Sequence, residues 1–353
     1  MTRFNFSRKT KILIPIIIFI VSFVFVDFLA GYFYAKKIRL YRKANFFYHH
    51  ELVRNISNLN VLWGKEDYKI STNSLGFRDK NNREIPLKND IYRIILMGDS
   101  FTESVGVNWE NSFPGILSEN LIKKNIEILN AGNIGYSPKI YYLKTKYLIE
   151  NVKLKFDEII VFIDISDLDN ESIYEDFDPE NHNFFKKLII KHSSYSFVYR
   201  VFINKKISFQ QGIPYARDLK KEHKMLTNWW SGGREGRVEA WDITDSRVKK
   251  GFQLAFENMS KLLKICKENN IKVKLIVYPW QYTITDKNHP HEFLWEKFAK
   301  KHNISFTTLF AEFFNRCDFQ GKSCDNFFIP NDVHWSAEGH KFVAKLLLDK
   351  ISF

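Results

Sequence analysis

From residue 91 onward, short apolar runs alternate with amphipathic helices, and this alternation limits the possible folds more than any other feature of the chain. Arg93–Met97, Ile126–Asn130, Glu158–Ile163, Val273–Tyr278 and Ile304–Leu309 read as strands. Between them, Phe113–Lys124, Ile140–Ile149, Phe252–Cys266 and His291–Lys301 place apolar residues on one helical face, and Ser336 caps a last helix. A strand followed by a helix and another strand implies a crossover and a parallel sheet covered on both faces. The predicted class is therefore α/β. In such sheets ligands bind beyond the carboxyl ends of the strands.

The residues at those ends carry chemistry. The first strand runs into Gly98-Asp99-Ser100, a serine just past a tight turn and placed to act as a nucleophile. The second runs into Asn130-Ala131-Gly132-Asn133-Ile134-Gly135, where glycines let a backbone N–H approach a ligand. The third ends in Asp164-Ile165-Ser166-Asp167-Leu168-Asp169-Asn170. These acids lack the glycine and glutamate of a calcium loop, so no metal is expected. Before the last helix stands Asn331-Asp332-Val333-His334-Trp335-Ser336. An aspartate two residues before a histidine can accept the imidazole N–H and fix its tautomer.

This ordered set resembles the SGNH (GDSL) hydrolase superfamily over about residues 91–353. Gly98-Asp99-Ser100 is similar to its first block, Gly135 to its second, and Asp332-Val333-His334 to its last. Thr72–Asp79 is similar to segments that precede the first block in membrane-anchored bacterial members, and Asp-x-His-Trp resembles the last block of alginate-acetylation proteins. The resemblance implies a three-layer α/β/α fold on a five-stranded parallel flavodoxin-like sheet. It implies Ser100 as nucleophile, His334 as general base and Asp332 as its orienting acid, with no cofactor. The Ser100 and Gly135 N–H groups would hold the oxyanion. The family's third block usually adds an asparagine side chain, and the matching position here is Ser166. Either Ser166 substitutes, or Asn170 or another donor does. Trp280, in the turn after the fourth strand, and Trp335 are the candidate substrate-binding aromatics.

Three functions fit this set. The first is an esterase acting on an acylated carbohydrate or another ester outside the cytoplasm. The second is an O-acetyltransferase modifying a cell-surface polysaccharide, since water or a sugar hydroxyl can resolve the same acyl-enzyme. The third is a non-catalytic glycan-binding domain. The net charge of +13 raises nucleic acid as a partner. The basic residues are spread along the chain with no basic helix or zinc-finger spacing, so none is expected.

Residues 12–34 form an apolar run with one charge, Asp27, long enough to span a hydrocarbon core of about 30 Å. A cleaved signal peptide is the competing reading. The expected organisation is a cytoplasmic tail at 1–11, a single-pass anchor at 12–34, an extracytoplasmic stem at 35–90 without clear periodicity, and a catalytic domain at 91–353 with an insertion at about 170–250. The resemblance places the anchor in a bacterial inner membrane with the domain on the periplasmic side. Asp27 is read as a tolerated end-of-helix charge or a contact to a membrane-protein partner. His49 and His50 are read as non-metal residues. Cys266 reads as buried, and Cys317 and Cys324 as either a short disulfide loop or two free thiols.

Overall fold

The computed structural model describes residues 8–37, 40–88, 90–193, 195–199, 246–284, 289–317, 322–330, 332–351 and 353. Trp229, Trp230, Gly232, Gly233 and Gly236 of the expected insertion lie outside them, as does Asn331.

Helix α1 covers Arg8–Lys37. Within its Lys9–Tyr34 stretch the most apolar window has a mean hydropathy of 2.9 and none of it is buried, so by length and composition it can cross a membrane. Asp27 does not stand alone on it. Its Oδ1 accepts a hydrogen bond from the Val198 N–H at 2.8 Å. Phe28 meets Tyr195 and Tyr34 meets Phe197, with ring centres 5.8 and 5.5 Å apart.

Strands β1 (Arg42–Asn45) and β2 (His49–Leu52) then form an antiparallel hairpin. The Asn45 side chain closes its turn by accepting from the Phe47 N–H. Strands β3 (Leu59–Trp63), β4 (Glu66–Thr72) and β5 (Arg78–Asp79) follow. In β3 burial alternates, with Val61 and Trp63 inward and Asn60 and Leu62 outward, as expected for an antiparallel strand with one wet face. The segment read as an aperiodic stem is thus built of strands, and β5 pairs with the domain's own sheet.

Strand β6 (Tyr92–Met97) leads to α2 (Ser100–Glu103) and α3 (Phe113–Leu121). Strand β7 (Ile126–Asn130), α4 (Pro138–Tyr147), β8 (Glu158–Ile163), α5 (Asp167–Tyr174) and α6 (Phe184–Ser193) come next. The described chain resumes with α7 (Ser246–Glu268), β9 (Lys272–Val277), α8 (Pro290–His302), β10 (Ser305–Thr308), α9 (Phe310–Arg316) and α10 (Ala337–Lys350).

The sheet order is β10-β9-β8-β6-β7-β5-β4-β3. Strands β10, β9, β8, β6 and β7 are parallel, in the flavodoxin-like order expected. The sheet has eight strands rather than five, because β5, β4 and β3 extend the β7 edge in antiparallel fashion. Every residue of β7 and β8 is buried. Successive side chains point to opposite faces, so both faces of the sheet are covered. Phe113, Leu117 and Leu121 of α3 are fully buried, as are Ala255, Met259, Leu262 and Cys266 of α7. Burial pushes the Cys266 thiol up to about 12. Cys317 and Cys324 are joined by a disulfide.

The chain leaves β6 toward β7 on one side and reaches β8 on the other, so the topological switch point lies at the carboxyl end of β6. Ser100 stands there.

Candidate active site

The turn from β6 into α2 sets the serine. A Cβ on Gly98 would lie 2.1 Å from the Thr102 hydroxyl, so only glycine fits this close approach. Asp99 caps α2 by accepting from the Phe101 N–H at 2.9 Å. Arg78, 1% exposed, holds the far end of the same segment by donating to the carbonyls of Glu103, Ser104 and Val107.

Ser100, His334 and Asp332 come together from 234 positions apart. The His334 Nε2 lies 2.7 Å from the Ser100 Oγ, and its Nδ1 lies 2.5 Å from the Asp332 Oδ1. A carboxylate can only accept, so Nδ1 carries the hydrogen and Nε2 is left to accept the serine proton. Asp332 Oδ1 also accepts from the His334 backbone N–H at 3.0 Å. Its other oxygen accepts from the Trp63 indole N–H at 2.8 Å. The Trp63 ring meets the His334 ring edge-on at 4.9 Å.

Charge follows this geometry. Burial opposes ionisation of Asp332, but His334 and the hydrogen bonds to the carboxylate outweigh it and bring its pKa down to about 2. Burial likewise disfavours the imidazolium of His334, but the charge and hydrogen bond of Asp332 leave its pKa above the ordinary value. His334 is therefore a stronger base than free imidazole and already faces the serine.

Of the expected oxyanion donors, two are backbone groups. Among the described residues neither the Ser100 N–H nor the Gly135 N–H has a protein acceptor. Gly135 has a φ of +70°, which suits glycine. Ser166 is different. Its hydroxyl donates to the Asp164 Oδ1 at 2.7 Å and its N–H to the same oxygen at 2.8 Å. The hydroxyl's one proton is thereby engaged by Asp164 rather than held free for an oxyanion.

The aromatic expectations divide in the same way. Trp335 is fully buried, with Phe101 and Tyr278 at 4.9 and 4.8 Å. It packs behind the site, with no part of its ring exposed. Trp280 is 7% exposed and donates its indole N–H to the Asp164 Oδ2 at 2.6 Å, which orients that carboxyl beside the site.

Three buried acids lie beneath the serine. Tyr278 donates to Asp99, Tyr141 to Asp167, and the Asp164 N–H to Asp167. Burial raises the pKa of all three. For Asp99 and Asp167 the neighbouring Asp164 adds to it. No three His, Cys, Asp or Glu residues among those described are grouped to hold a metal ion.

No family model matches the chain, and no curated protein matches it. Solved structures do. The acetyl xylan esterase AlAXEase is 15% identical, over 74% of this chain and 100% of its own, with a TM-score of 0.42. A mutant of the acetylxylan esterase Axe2 from Geobacillus stearothermophilus is 14% identical, over 74% and 94%, with a TM-score of 0.40. A G-D-S-L family lipolytic protein from Desulfitobacterium hafniense is 16% identical, over 72% and 99%, with a TM-score of 0.37. At such scores the functional reading rests on the site's own geometry.

Residues before position 91 that sequence reasoning passed over hold much of this site. Arg42 pairs with Glu103, both fully buried, and its Nε donates to the Asn133 Oδ1 at 3.3 Å. Glu103 accepts from the Ile134 N–H at 2.9 Å. The His50 Nε2–H donates to the Ile134 carbonyl at 2.7 Å. The Tyr174 hydroxyl donates to the Gly135 carbonyl at 2.7 Å. The loop that presents Gly135 is thus bonded on both of its polar edges. His49 and His50 meet through their Nδ1 atoms at 2.9 Å, and burial lowers the pKa of both, to about 4 for His49.

Proposed function

We propose that this chain is a membrane-anchored serine esterase of the SGNH (GDSL) type that cleaves acyl esters of an extracytoplasmic substrate such as an acylated carbohydrate. The observation that carries the reading is the continuous contact from the Ser100 Oγ through the His334 ring to Asp332. His334 takes the serine proton as Oγ attacks the acyl carbonyl. Asp332 steadies the imidazolium that forms. The N–H groups of Ser100 and Gly135 receive the oxyanion. His334 then returns the proton to the departing alkoxide, and water, activated by the same ring, releases the acyl group.

The extracytoplasmic side is supported by the Cys317–Cys324 bond, because disulfides persist in oxidising compartments. The anchor is supported by the apolar span of α1.

The test is hydrolysis of p-nitrophenyl acetate by the full chain in detergent, beside Ser100→Ala and His334→Ala. Each substitution is expected to lower kcat by about 10⁴-fold or more. A folded wild-type protein no more active than either variant overturns the reading.

A further inference from the structure

Helix α6 exposes Phe184, Phe185, Leu188 and Ile189, at 73%, 71%, 41% and 60%. Positions i, i+1, i+4 and i+5 share one side of a helix, so these four side chains form a single apolar stripe. Lys186 and Lys187 lie beside it and are exposed. The Lys187 ammonium stands 6.0 Å above the ring of Phe46, in the turn between β1 and β2. The opposite side of the helix therefore faces the hairpin that follows α1.

The next turn of chain fixes where this stripe sits. Two residues past the end of α6, Tyr195 packs against Phe28, and Phe197 and Val198 engage Tyr34 and Asp27. A Cβ on Gly31 would lie 1.6 Å from the Tyr195 carbonyl oxygen, so the helix and this segment meet backbone to backbone. These contacts fall on the C-terminal part of the apolar stretch, which runs to Tyr34. With α1 across a bilayer, the segment that follows α6 would stand near the headgroups, and α6 brings an apolar stripe beside lysines to it.

We propose that α6 lies in the membrane interface as a second contact with the bilayer. Phe184, Phe185, Leu188 and Ile189 enter the acyl boundary and Lys186 meets anionic headgroups. The proposal rests on the reading of α1 as a membrane span. A protein partner would not need the stripe at this depth, whereas a bilayer crossed by α1 necessarily meets it.

The test uses the full chain in vesicles of phosphatidylcholine and phosphatidylglycerol. An environment-sensitive fluorophore is placed on Leu188→Cys, Ile189→Cys, Lys341→Cys or Val21→Cys in separate samples. Cys266 is buried and Cys317 is bonded to Cys324, so the new thiol takes the label. Lipids carrying a nitroxide on the acyl chain act as quenchers. The expected result is blue-shifted emission with strong quenching at 188, 189 and 21, and no quenching at 341. Quenching at 21 without quenching at 188 and 189 overturns the interfacial helix and leaves the anchor standing. A blue shift at 188 without quenching overturns it in favour of a protein cover. Absence of quenching at 21 overturns the span and the proposal with it.

Discussion

The Trp63 indole N–H donates to the Asp332 Oδ2 at 2.8 Å across 269 positions of sequence. The oxygen it binds is the one His334 does not use, so Asp332 is held from both sides. Trp63→Phe keeps a ring against His334 and removes only the donor. A hydrogen bond to a charged group contributes about 1.5–3 kcal/mol, or roughly ten- to a hundredfold. The expected outcome is a fall in kcat of that size on p-nitrophenyl acetate with KM little changed.

Arg42 and Glu103 form a buried ion pair that also orients Asn133 and Ile134. Removing one partner strands the other charge, at a cost of about 3–5 kcal/mol. Arg42→Met is expected to lower stability by that amount in urea unfolding. The double variant Arg42→Met/Glu103→Leu is expected to recover part of it while kcat falls further, because only there does the Ile134 N–H lose its Glu103 acceptor.

The pKa of His334 is raised, and only its neutral form can take the serine proton. Activity is therefore expected to fall as pH drops through that raised value, with an acid limb above the ordinary histidine value of 6.5. Asp332→Asn removes the charge that raises it. The limb should move to lower pH while kcat falls by about 10⁴-fold. A pH profile of kcat/KM on both proteins checks this.

Asp99 is buried with its pKa raised above 3.8. The folded chain then holds this proton to higher pH than the unfolded chain does, so stability falls as pH rises above the ordinary carboxylate range. Asp99→Asn keeps an acceptor for the Phe101 N–H and the Tyr278 hydroxyl and cannot ionise. Its melting temperature is expected to fall less than that of the wild type between roughly pH 4 and pH 8, the span between the ordinary carboxylate value and the raised one of about 8.

The parallel sheet was legible because its central strands are buried on both faces and read as mostly apolar runs, as in Ile126–Asn130 and Glu158–Ile163. The juxtaposition of Ser100, Asp332 and His334 was legible because Ser100 follows a strand, and Asp332 and His334 stand two residues apart just before the last helix. The strands β3 and β4 were missed because they are short and wet on one face over much of their length, and β5 because it is only two charged residues. The period-two signal was present in Leu59–Trp63 and Glu66–Thr72, yet short and rich in polar residues. Lys144 was hidden for another reason. An amphipathic reading of α4 points lysines outward, but this one is 2% exposed and donates to the Ala131 carbonyl at 2.8 Å. Nothing local to a lysine announces such a partner. The bond of the Ser166 hydroxyl to Asp164 was not foreseen, although its acceptor is only two residues away and short polar side chains commonly bond locally.

The hairpin of β1 and β2 begins five residues after α1 ends, and its Arg42 and His50 grip the loop that carries Gly135. Five residues extend at most about 18 Å. With α1 in a bilayer, the chemistry is leashed. The site then has no long arm with which to sweep the space beyond the membrane, and on the proposed reading any ester it cleaves must be delivered to within a few nanometres of the lipid surface. Distance from the membrane then acts as a selector before any pocket does.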